Sequence, residues 1–93
     1  FDMKIADLQA TYDEIMQQVL QKEREQKLMR RYIELFEDSA GITEDEFKGH
    51  CKDMQDSLPD DIIGEIISHF TTRNHFIANK INNVLSGKSM NNH

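Results

Sequence analysis

The chain holds 93 residues, 30% of them charged, with a net charge of −6, four Gly and one Pro. That length gives one domain with a modest core, and so few turn-formers favour helices over a sheet with many turns. No apolar run approaches the roughly 18 to 20 residues that span a bilayer, and no signal-peptide pattern opens the sequence.

The first segment, from about Asp2 to Glu37, contains neither Gly nor Pro. Its apolar residues fall at heptad spacing: Phe1, Ile5, Leu8, Tyr12, Ile15, Val19, Met29, Ile33 and Phe36. Lys22 and Gln26 take the two remaining seam positions. A helix of that length extends about 54 Å, more than a small domain can cover. Its apolar face also widens from Leu28 onward, where Tyr32 and Leu35 join the seam, so its C-terminal part suits a helix wedged between two others. The polar stretch Gln21 to Lys27 reads equally as a solvated neck or a buried polar layer. Because the chain opens at Phe1 in mid-pattern, it is expected to be part of a longer protein.

Asp38 to Gly41 ends this helix, with Gly41 placed for a left-handed C-cap. Thr43 then starts a second helix, with Glu46 three residues on as in a capping box. This helix is expected over 43–57, its apolar positions Phe47, Cys51 and Met54 falling on one line. Pro59 interrupts the backbone, and Asp60 and Asp61 supply the cap and the negative charge that a new N-terminus favours. A third helix is expected over 60–85, presenting Ile62, Ile63, Ile66, Ile67, Phe70, Ile77, Ile81, Val84 and Leu85 on one face. Residues 86–93 read as a frayed tail.

The expected fold is all-α: a long coiled-coil-like N-terminal helix, a short middle helix, and a long C-terminal helix folding back as an antiparallel hairpin, within one domain over 1–93. That register places Ile62 near Phe36, Phe70 near Met29 and Val84 near Ile15. The expected core is Met29, Ile33, Phe36, Phe47, Met54, Ile63, Ile66, Phe70, Ile77 and Ile81. Residues 1 to about 11 then overhang, and a second copy of the chain is the simplest partner for their seam.

Charge is polarised along the chain. Residues 38–65 carry nine acids against Lys48 and Lys52, whereas residues 66–93 carry no acid and three bases. The acidic middle repels phosphate backbones, and Arg73, Lys80 and Lys88 are too spread to form a nucleic-acid footprint. The run Asp53, Asp56, Asp60, Asp61 and Glu65 reads as a solvated face.

The sequence carries no motif whose spacing suits catalysis or metal binding. Aligning Glu46 with the last position of a calcium-binding EF-hand loop puts Leu35 where a carboxylate is required and Ala40 where Gly is needed. His50 and Cys51 diverge on a helix, and His69 and His75 are six apart, so no zinc spacing exists. Nothing gathers a base around a nucleophile or builds a phosphate loop. A single thiol cannot form an internal disulfide. The expectation is therefore a non-catalytic interaction and oligomerisation module of a scaffold or adaptor in cytoplasm or nucleus, without cofactor, metal, small-molecule substrate, membrane or nucleic-acid partner. It would homodimerise through Ile5, Leu8, Tyr12, Ile15 and Val19, with the exposed aromatic Phe76 as a further contact to itself or to other proteins. Two other readings are a monomeric adaptor that takes a partner's amphipathic helix in a groove and the dimerisation part of a transcription or chromatin regulator.

Overall fold

A computed structural model describes residues 2–90, and every regular element among them is helical. Helix α1 spans Asp2–Glu37, α2 Glu44–Ser57, α3 Asp60–Arg73 and α4 His75–Met90, with a short 3-10 turn at Ser39–Gly41. The expected all-α architecture with a long first helix and a short second one is present. Phe1 and residues 91–93 lie outside the described residues.

The core forms where the end of α1 meets α2, α3 and α4. Phe36 is fully buried at its centre, its ring 5.2 Å from Phe47 and 6.4 Å edge-on from Phe70. Such tilted and edge-to-face pairs add to the burial each ring contributes. Cys51, Met54, Leu58, Ile62, Ile63, Ile66, Ala78 and Ile81 complete it. Met29, Ile33 and Ile77, expected in the core, are only half-buried at its edge.

Local chemistry sets each boundary. After Glu37 the chain tightens into the 3-10 turn, where the buried Ser39 hydroxyl donates to the Phe36 carbonyl. Gly41 is not left-handed, since no residue among those described has positive φ. The turn supplies i to i+3 bonding in place of that cap, with the Ile42 N–H donating to the Ser39 carbonyl at 3.3 Å. At α2 the expected cap is present: Thr43 is extended and its Oγ1 accepts the Glu46 N–H at 3.1 Å. Thr43→Ala is expected to lower stability by about 1 kcal/mol in urea unfolding, while Thr43→Ser stays near native. Pro59 itself, rather than Asp60 or Asp61, is the N-cap residue of α3. Its carbonyl accepts the N–H groups of Ile62 and Ile63, both at 3.1 Å, and the two Asp side chains supply only first-turn charge.

The main departure from expectation lies at Asn74. The third helix does not run unbroken over 60–85. At Asn74 the backbone turns to φ −155°, ψ 85°, and α4 leaves in a new direction. The Asn74 carbonyl accepts from Ile77 and Ala78 at 3.1 and 3.2 Å, and its Oδ1 accepts from Ile77 at 3.4 Å, so Asn74 caps α4. Helix α4 then packs against α3 and α2 instead of following α1. It also continues through Gly87 to Met90, where a frayed tail was expected.

Because α4 turns away, the expected register does not form. Phe70 meets Phe36 rather than Met29, and Ile15 has no helix beside it. The overhang reaches not to about residue 11 but through residue 24. The segment 21–27 is a solvated neck, with only Glu25 half-covered and a Gln21 to Glu25 hydrogen bond of 3.2 Å along its surface. With overall dimensions of 61 × 32 × 22 Å, the molecule is a small bundle with a rod projecting from it.

Candidate interaction surfaces

The rod carries one continuous apolar stripe. Ile5, Leu8, Tyr12, Ile15 and Val19 all stand exposed on it, from 44% at Val19 to 71% at Leu8. Met16 and Leu20 are exposed as well and widen the stripe on one side. Heptad counting missed those two, although at four residues from Tyr12 and from Met16 they were visible as helical neighbours. Stacked at one-turn intervals, these side chains form an unbroken patch, unlike the scattered apolar residues that are ordinary on a protein surface.

A second surface lies on the bundle. Between α2 and α4 runs a groove of about 670 Å³, lined on one side by Glu44, Lys48 and Lys52 and on the other by Lys80, Val84 and Leu85. Lys80 is held by α2 from two directions: its Nζ lies 4.6 Å from the Phe47 ring centroid and 3.4 Å from a Glu44 carboxylate oxygen. Both members of that ion pair are largely solvated, so it orients Lys80 more than it stabilises the fold. No carboxylate among the described residues pairs with Lys48 or Lys52. Phe76, 75% exposed, sits one helical turn before Lys80 on α4 and does not line this groove.

The remaining polar groups serve the fold. His69 faces Glu37 at 3.4 Å and packs edge-on to Phe70, which ties α3 to the end of α1. His50 lies edge-on to Phe36 at 6.5 Å, and His75 stacks on Phe76 at 4.4 Å. The four residues considered for zinc are thus dispersed, and no group of three metal-ligating side chains occurs among the described residues. Cys51 is buried beneath α4; desolvation pushes its thiol up to about 11, opposed in part by the charge of Lys80. At neutral pH it is a protonated packing group. Asp53, Asp56, Asp60, Asp61 and Glu65 are all exposed. None of the described helices is long and apolar enough to cross a membrane.

Together these features define a class: a small helical bundle with an uncovered amphipathic rod and a lysine-edged groove. No protein-family description, curated protein or solved structure matches the chain.

Proposed function

We propose that this chain is a non-catalytic oligomerisation module that associates with a second copy of itself through α1, within a scaffold or adaptor of the cytoplasm or nucleus. The observation that carries the reading is the apolar stripe from Ile5 to Leu20, exposed along a rod that its own bundle does not touch. Removing such a stripe from water is favourable at roughly 25 cal/mol per Å². A bundle of this size has a modest core of its own, and association supplies further burial. Mechanistically, joining two copies raises the effective concentration of whatever each chain is attached to.

Light scattering on the native chain and on Leu8→Glu with Ile15→Glu tests this. The native protein is expected to run as a dimer at high micromolar concentration and the double variant as a monomer with unchanged bundle unfolding. A monomeric native chain under those conditions overturns the reading.

A monomeric adaptor that receives a partner helix has one observation in its favour, the α2–α4 groove. It differs by leaving the mass of the native chain monomeric.

A further inference from the structure

We infer that the contact between two copies is confined to the face of α1 turned away from its own bundle, between Ile5 and Leu20, so that pairing leaves the bundle surfaces uncovered and displays each of them twice. This rests on the self-association of α1 proposed above; it adds which face is used, where the contact ends and what stays free.

The face follows from helix geometry. Successive side chains on a helix point about 100° apart. On that scale the seven exposed apolar side chains from Ile5 to Leu20 centre on Tyr12. Met16 lies about 40° from that centre, as close as Leu8 and closer than Ile15. Further along α1 the covered side chains are Leu28, Met29, Tyr32, Ile33, Leu35 and Phe36, and their centre lies roughly 145° round from the first. A seam counted in sevens drifts by about 20° per heptad on a straight helix, which carries it from the free side toward the bundle side. The bundle therefore sits behind the stripe. A helix laid on the stripe meets no part of the bundle that α1 itself enters.

Charge sets both the occupant and the limits. Lys4 and Asp13 stand at the borders of the face, while Asp7 and Glu14 point away behind it. A partner of either charge finds nothing to pair with along its centre. The same uncharged face on a second copy matches it, and two copies laid together keep the acids on the backs of their rods apart, which matters in a chain of net charge −6. Past Leu20 the same line holds Glu23, Gln26, Arg30, Glu34 and Glu37, all exposed. None of these gains by leaving water without a partner, so the contact ends near Leu20 whichever way the second rod runs.

The consequence is a pair joined by its rods with the two bundles standing clear. Phe76 and the lysine-edged groove between α2 and α4 both belong to the bundle and keep their exposure. Whatever binds either surface is then met by two sites on one assembly.

Neighbouring substitutions of like charge test the face. Met16→Glu puts a carboxylate near the centre of the stripe and is expected to weaken self-association at least tenfold by analytical ultracentrifugation. Gln17→Glu adds the same charge one residue later, on the back of the rod, and is expected to stay within about twofold of native. Phe76→Ala, and Lys48→Gln with Lys52→Gln, are expected to dimerise as the native chain does. All five side chains are exposed, so the urea midpoint of the bundle serves as the check that each variant is folded. Native-like dimerisation of Met16→Glu, or a loss of tenfold or more in Gln17→Glu or in either bundle variant, overturns the assignment while leaving the self-association reading in place. A monomeric native chain overturns that reading and this inference with it.

Discussion

Phe36→Ala is expected to cost the bundle about 3–5 kcal/mol in urea unfolding, the range for truncating a fully buried aromatic. Phe36 is the ring that α1 contributes to the junction of all four helices, with Phe47, His50 and Phe70 around it at 5.2 to 6.5 Å. The cavity left by its removal is walled by rings of both α2 and α3. Since single domains are stable by only about 5–15 kcal/mol, and the buried apolar core amounts to eleven of the described residues, the variant is expected to be substantially unfolded at 37 °C by circular dichroism. An equivalent truncation on the rod, Leu8→Ala, is expected to leave the unfolding midpoint of the bundle within about 0.5 kcal/mol of native. Near-native stability of Phe36→Ala would mean that the bundle is not organised around that ring.

Ile81→Ala is expected to cost about 2–4 kcal/mol, and to do so by releasing α4. Among the residues of that helix whose burial is described, only Ala78 and Ile81 are buried, with Ile77, Val84 and Leu85 half-covered beside them. A helix of 16 residues is marginal in water by itself, so it depends on this contact. Its release uncovers Cys51, whose thiol is otherwise buried and protonated, with a pKa pushed up to about 11 by desolvation. The readout is the rate at which a disulfide reagent labels Cys51 at pH 7.5. A loss of 2 kcal/mol in local opening raises that rate by about 30-fold when opening precedes labelling. Unchanged labelling alongside a lowered global midpoint would show that α4 opens only when the whole bundle unfolds.

Much of the bundle was legible in the residues. Phe36, Phe47, Met54, Ile63, Ile66, Phe70 and Ile81 are core because helical spacing puts each on an apolar face, and such faces must meet something. The break at Asn74 was not legible, and periodicity explains why. Ile77, Ile81 and Val84 continue the spacing of Ile63, Ile66 and Phe70, so a straight helix and a broken one share a single apolar pattern. The one available signal was Asn74 itself, a residue that caps helices, inside the polar segment Thr71 to His75. That one turn in the backbone redirected α4, lengthened the overhang and left Ile15 without a neighbour. The groove was equally hidden, because Lys48, Lys52, Lys80 and Val84 come together only once α4 lies against α2. Ala78 carried too little apolar weight to be noticed and is buried by its smallness.

The uncovered half of α1 has a thermodynamic consequence. Residues 4–24 make no contact with the bundle that would hold their helical geometry, and a helix of about twenty residues without tertiary support sits near the midpoint of the helix–coil balance in water. In the proposed self-association, ordering of this half and binding of its stripe are two faces of one equilibrium, each drawing the other forward by mass action. Ellipticity at 222 nm should therefore rise on concentrating the protein, so that the amount of helix in the chain becomes a gauge of how many copies are nearby.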